Sequence, residues 1–452
     1  MTDRRRHGPS LQGRLGRRAA LVLPLGLAGC SLFDSWFGDS KPPLPGRREP
    51  IMAEQRGLMV DDGAARLRVT LPGATTNADW PVAGGNRTHA MGNLQAGESL
   101  ARLWSSSIGS GGGYRDKILA QPVAANGVIY TMDSDAMVSA FSIANGSRLW
   151  RSETRDRDDD STNVGGGLAL AGDTLYAVNG LAELVAFDVA NGSQRWRRSI
   201  GGPARSSPAI ADGRLFIVTL DNRLIAVSAD DGHQLWTHQA TSTGPSMLGQ
   251  PAPAVADGLV VAGFGSGELV ALRAETGGIA WTDSLAASRG RSSLSDIAAI
   301  RGLPVIADGR VYAIGLGGLL LALDLRSGRR LWEREVAGQA SLWIAGDWLF
   351  VISAQQQIGA IQAREGQVAW VSDLPRFENE EDKKDPIIWF GPVLAGGRLI
   401  AVGTNEQMLS VSPYTGETLA QQSLPGGASM GPTVVEGTVF VVTNDGQITA
   451  LR

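Results

Sequence analysis

Cysteine is nearly absent from this chain of 452 residues: Cys30 stands alone. A single cysteine excludes a disulfide framework and any metal cluster built on cysteine ligands. Histidine is almost as scarce, limited to His7, His89, His233 and His238, which leaves little material for a histidine-rich metal site. His233 and His238 lie five apart around an expected strand and point to opposite faces, so they do not chelate together. No Ser-His-Asp arrangement, HExxH pair or phosphate-cradling glycine loop appears. The apolar run at 19–28 is too short to span a bilayer as a stable helix.

Glycine, by contrast, is abundant. The 59 Gly residues are nearly twice the usual share of about 7%. Each interior Gly costs a helix about 1 kcal/mol, so a helical protein is disfavoured. Hydrophobic residues at 43% suffice for a large core and exclude global disorder. These numbers describe a large, soluble, turn-rich β protein.

The N-terminus carries six Arg before the apolar run and ends in Leu27-Ala28-Gly29-Cys30. This is the charge and hydropathy pattern of a signal peptide. Small residues followed by the chain's one Cys resemble a bacterial lipobox, which makes Cys30 the lipid-attachment residue of the mature protein. Ser31 rather than Asp follows, which by resemblance to proteobacterial lipoprotein sorting implies the outer membrane. Removing residues 1–29 takes away six Arg and one Asp, leaving 35 basic against 44 acidic residues, near −9. That charge excludes a nucleic-acid partner, which needs a basic face. Residues 30–78 are Pro-punctuated and mixed in charge, and are expected to form a lipid-anchored tether with at most one extended stretch near 66–71.

The remainder is a repeat. Trp104, Trp150, Trp196, Trp236, Trp281, Trp332 and Trp370 recur about every 45 residues, a period of repeat architectures. Most close an 11-residue segment such as AFSIANGSRLW (140–150) or ALDLRSGRRLW (322–332), and each segment has Gly four residues before its end: Gly146, Gly192, Gly232, Gly277, Gly328 and Gly366. A seventh, SVSPYTGETLA (410–420), keeps Gly416 but has Ala420 in place of Trp. Upstream, Pro122, Pro208, Pro253, Pro304 and Pro392 each lie 28 residues before the closing position. In 207–239 the pattern predicts four strands, 209–211, 214–220, 223–228 and 234–238, divided by Asp-Gly and Asp-Asn turns. Four-stranded antiparallel units repeated radially make a β-propeller.

Seven complete units begin at 122, 168, 208, 253, 304, 342 and 392. An eighth begins at Pro432 but the sequence reaches Arg452 without a fourth strand, while LARLWSSSIG (100–109) is a fourth strand with no unit before it. The economical arrangement is an all-β, eight-bladed propeller over 79–452, its ring closed by pairing the N- and C-terminal strands. The repeated Trp residues are expected to pack against the neighbouring blade near its repeat Gly.

The motif A-x-D/S-x-x-x-G-x-x-x-W resembles the tryptophan-docking repeat of the pyrroloquinoline-quinone-type propellers. Behind a lipobox, eight such blades resemble the BamB family of outer-membrane assembly lipoproteins, over about residues 79–452. WPVAGGNRTHA (80–90) resembles the lead-in segment of these propellers. The resemblance implies a non-enzymatic scaffold without cofactor or metal, lipid-anchored to the outer membrane and facing the periplasm. It implies binding to BamA and the rest of the β-barrel assembly complex, and unfolded outer-membrane proteins as substrates. It places the BamA contact on two loops. One matches PSMLGQPAP (245–253), where Ser246, Met247 and Gly249 fit and Leu248 replaces an Arg. The other matches SLSDIAAIRGLP (293–304), where Leu294, Ser295 and Asp296 fit and Ala298 replaces an Asp. Met247, Leu248 and Asp296 are the contact candidates, with Arg289, Arg291 and Arg301 nearby as compensating charge.

Two other classes share the fold. A quinone-dependent dehydrogenase would need a catalytic Asp, cation ligands and usually an adjacent Cys pair, and the chain has no such pair. An envelope propeller that binds a ligand would differ only in its partner. The longest connections, 281–304 and 370–392, are where function sits on a rigid scaffold. The second includes the acidic stretch 375–389, expected to be a solvated loop.

Overall fold

The computed structural model describes residues 57–63, 67–113, 117–155, 161–204, 206–241, 251–285 and 299–452. Among them the chain forms eight four-stranded antiparallel sheets and one two-stranded hairpin. Blades 1 to 7 span residues 123–153, 166–199, 209–239, 254–284, 305–334, 343–373 and 389–423. Each is a meander, with strand order following the sequence from the ring axis outward. Blade 8 takes three strands from residues 433–451 and its outer strand from Arg102–Ser107, which pairs with Gln447–Leu451. The ring is therefore closed by its two ends, as the repeat count required. In blade 3 the second strand is Arg214–Val218, two residues shorter than the sequence pattern suggests. Thr219 leaves the hairpin ladder to bridge Ala204 and to bond Arg223 and Asn222 at the turn.

Burial follows from position in the blade. The second and third strands are buried on both faces, as in Arg223–Ser228 of blade 3, with only the end residues partly exposed. Such doubly covered strands read as continuous apolar runs. The outer strands alternate between exposed and partly buried, as in Arg148–Glu153. Each paired outer strand carries a register shift beside its closing position, for example where Trp150 and Arg148 oppose the consecutive residues Ala140 and Phe141. A bulge re-aims the side chain that follows it.

The indole that follows the bulge faces the next blade. Trp104, Trp150, Trp236, Trp281, Trp332 and Trp370 donate their Nε1 hydrogens to main-chain carbonyls there, Ile143, Val189, Ala274, Leu325, Ala363 and Pro413, at 2.7–3.1 Å. Each ring, Trp196 included, lies on the repeat Gly of that neighbour. A Cβ added to Gly146, Gly192, Gly232, Gly277, Gly328, Gly366 or Gly416 would sit 2.7 Å or less from indole or adjacent side-chain atoms, and their φ lies between 68° and 79°. Both the contact and the left-handed backbone demand glycine.

Residues 57–63 and 67–78, read from sequence as part of a tether, contribute to the ring. Leu58 is buried in the core of blades 5 and 6. The Asp61 carboxylate accepts two bonds from Arg334 of blade 5, at 3.0 and 2.6 Å, and one from Val368 N of blade 6 at 2.8 Å. The acidic stretch 375–389, expected to be a solvated loop, is exposed over 375–386 apart from half-buried Phe377, but it is a hairpin of Phe377–Asn379 and Lys384–Pro386 and not an irregular loop. Buried Trp389 fastens its base through Nε1 to Pro375 O at 2.8 Å.

Two outcomes follow from this packing. Trp281→Ala should lower unfolding free energy by about 3–5 kcal/mol in a urea titration, the usual loss for a large aromatic in a core. Deleting residues 99–108 strips blade 8 of its outer strand and should lower the melting temperature of the whole ring; a truncated chain melting like the full one would contradict ring closure.

Candidate functional site at the ring axis

Blades leave a channel at the centre, and residues 77–94 fill one part of it. They do so by bonding to the inner strands in blade order. Asn77 bonds Val434 and Glu436 of blade 8, Trp80 bonds Ala124 of blade 1, and Pro81 O accepts from Leu170 of blade 2. Arg87 lies 4.0 Å from Asp212 of blade 3, and its carbonyl accepts from Val255 of blade 4 at 2.6 Å. Thr88 O accepts from Ile306 of blade 5, Gly92 O from the Trp343 indole of blade 6, and Leu94 exchanges bonds with Leu394 and Gly396 of blade 7. The circuit then meets its own start, because Thr75 bonds Asn93 and Gln95. The sequence marked 80–90 as a lead-in segment but gave no sign of this circuit, whose backbone bonds are independent of side-chain type.

Beside the circuit lies a cavity of about 200 Å³. Trp80, Gly84 and His89 of the circuit line it, together with the residues leading into the inner strands of seven blades. Gln121 ties the two sets together: its Oε1 accepts from Gly84 N at 2.7 Å. Trp80 stacks on Trp343, with ring centroids 6.4 Å apart and planes at 19°. His89 is 3% exposed and sits at φ 60°, with Nδ1 2.7 Å from Pro304 O. Burial pushes its pKa down from 6.5 to about 4, against a smaller opposing effect of the Pro304 hydrogen bond. Arg301 lines the same cavity and donates to Gln339 Oε1 at 2.8 Å; burial lowers its pKa. The sequence placed Arg301 beside the loop 293–304 as compensating surface charge. Its guanidinium instead turns to the axis, a direction that linear spacing does not encode.

Among the described residues no carboxylate lines the cavity. Among the described residues no group of three His, Cys, Asp or Glu could hold a metal ion. The described lining therefore offers neither the catalytic acid nor the cation ligands of a quinone dehydrogenase.

Met247, Leu248 and Asp296 lie outside the described residues, as do Cys30, Arg289 and Arg291. The ends of their loops are described. One loop leaves the outer strand of blade 3 at Thr241 and rejoins blade 4 through Pro251. The next leaves blade 4 at Leu285 and rejoins blade 5 through Ala299. In a four-stranded meander an outer strand ends at the same side of the ring where the next inner strand begins. The described ends of both loops thus lie on the side on which Ala252 and Arg301 line the cavity. Thr241 N donates to the Glu268 carboxylate at 2.9 Å, joining blade 3 to blade 4 at that side.

A family model for the outer membrane protein assembly factor BamB matches residues 134–372 and 356–452. The outer membrane protein assembly factor BamB of Salmonella typhimurium is 29% identical over 356 residues, which cover 77% of this chain and 88% of that protein. The crystal structure of BamB from Moraxella catarrhalis superposes with a TM-score of 0.64 at 18% identity, covering 77% of this chain and 100% of that one. A quinohemoprotein alcohol dehydrogenase from Pseudomonas putida HK5 superposes with a TM-score of 0.65 at 12% identity, covering 83% and 80%. At these identities the two structures share the fold and nothing further is carried by them.

The buried histidine makes the axis pH-sensitive. Its folded pKa lies below its unfolded value, so its contribution is fully present above about pH 6.5 and is lost as pH falls toward 4. The interval from 6.5 to about 4 corresponds to about 3 kcal/mol. His89→Asn, which tolerates the left-handed backbone, should flatten the fall in urea-unfolding stability between pH 6.5 and 4. An unchanged profile would assign that fall elsewhere.

Proposed function

The chain belongs to the BamB family of outer membrane protein assembly factors, and from that premise we propose that it is a non-enzymatic scaffold of the β-barrel assembly machinery. The match of the family model across residues 134–452 carries this reading. In it, Cys30 bears the lipid that holds the ring at the periplasmic face of the outer membrane. A single acyl chain binds only marginally and several chains anchor stably, and the three of a mature lipoprotein meet that need. The ring presents the loops 245–253 and 293–304 to BamA, with Met247, Leu248 and Asp296 in the contact. Their described ends sit on one side of adjacent blades, which supports a single continuous surface.

The outer strands give this scaffold a second means of contact. Each ends a sheet and exposes unpaired backbone, and Leu103, Leu149, Leu235, Ile279 and Leu419 on them are 40–60% exposed. Extended, unfolded outer-membrane protein segments could add to such an edge as a further strand. The bulge beside each Trp limits the straight run available to them.

Co-purification from detergent-solubilised outer membrane tests the reading. Asp296→Arg should reduce the BamA recovered at least tenfold, equivalent to about 1.4 kcal/mol or more. Cys30→Ser should shift the chain from the membrane to the soluble periplasmic fraction. Unchanged BamA recovery by Asp296→Arg would remove this surface from the contact, and recovery of no BamA by the unaltered chain would remove the function.

A further inference from the structure

Three polar side-chain atoms around the axial cavity have no hydrogen-bond partner among the described residues: His89 Nε2, Trp80 Nε1 and Ser206 Oγ. Their residues are 3%, 1% and 3% exposed, and all three line the cavity. Buried polar groups are normally satisfied, and each exception calls for an explanation. Here three exceptions surround one void.

The chemistry of each is fixed. Pro304 O can only accept, so the proton of the neutral His89 ring is on Nδ1, and Nε2 presents a bare lone pair. Trp80 Nε1 can only donate, and the Ser206 hydroxyl can donate. Arg301 contributes a guanidinium whose remaining donors have no carboxylate within ion-pair distance among the described residues. A partly desolvated cation without a counter-ion is unfavourable unless something anionic meets it. The rest of the wall is largely apolar, with Trp343, Phe390, Met430, Leu342 and Leu303. Such a combination, an apolar pocket with a few convergent polar groups, is the usual make-up of a small-molecule site.

We propose that the axial cavity binds a small 2-hydroxy monocarboxylate with an apolar tail. The carboxylate pairs with Arg301 and takes the free donors of Trp80 and Ser206. The 2-hydroxyl donates to His89 Nε2, and the tail lies against the Trp80–Trp343 stack. A 2-amino acid is disfavoured, because its ammonium would meet Arg301 with no carboxylate among the described lining residues to offset it. The volume of about 200 Å³ sets the size class, that of a small molecule.

Mandelate has these three parts and serves as the probe. Isothermal titration of the detergent-purified full chain should give saturable binding in the millimolar range or tighter. Mandelamide, which lacks the charge, and phenylacetate, which lacks the hydroxyl, should each bind at least tenfold more weakly. Arg301→Gln should weaken mandelate at least tenfold, and Arg301→Lys should recover part of that loss, with urea-unfolding midpoints confirming that both variants are folded. Absence of saturable mandelate binding, equal affinity for mandelamide, or unchanged affinity in folded Arg301→Gln would each overturn the proposal. The titration contains no BamA, so its failure leaves the assembly reading untouched.

Discussion

An indole ring resting on a bare glycine of the next blade is the contact on which the rest of this ring depends. It is intolerant in both directions. A larger residue at Gly328 would collide with Trp281, and a smaller one at Trp281 would leave a cavity. Because the Trp and the Gly are each fixed within their own blades, the contact also sets the distance between blades. The constant 28-residue span from Pro to closing position is the sequence record of that geometry. The one break obeys the same logic: Ala420 of blade 7 lacks the ring, and the blade it faces takes its outer strand from Arg102–Ser107, so no repeat Gly turn joins its third and outer strands.

That rigidity separates structure from function in space. The blades bury their middle strands and cannot move side chains without disturbing neighbours on both sides. Variation is left to the outer edges, to the connections between blades and to the axis. The described ends of the connections that carry 245–253 and 293–304 lie on the same side of the ring as the cavity, where the chain passes from an outer strand to the next inner strand. The opposite side is made of short hairpin turns, with little length available for a site.

Period, blade number and closure were legible in the sequence because they rest on residues with few substitutes: a left-handed Gly, a docking Trp, a Pro before the inner strand. The circuit of residues 77–94 was not, because most of its bonds are main chain to main chain, and the side-chain contacts it adds, Asn77 to Val434, Arg87 to Asp212 and Gly92 to the Trp343 indole, follow no repeat spacing. Nor was the docking of Leu58 and Asp61, since a buried Leu and an ion-paired Asp look the same in a tether as on a surface. The acidic hairpin at 377–386 was hidden by its composition, and only Trp389 marked its base. At the axis, Arg301 could be placed near a loop by position, but its direction depends on Gln339 of another blade, 38 residues away.

The circuit has one more consequence, which concerns counting. A docking repeat by itself says how two blades sit together and leaves open how many join. Residues 77–94 visit the blades once each, from the eighth round to the seventh, and then tie to their own beginning. A strand of fixed length knotted around the inside of a hoop is a gauge of its circumference. A ring with one blade more would stretch this segment past its knot, and a ring with one fewer would leave it slack. The blade number of this protein is thus measured by eighteen or so residues of ordinary composition, laid down before the first blade is complete.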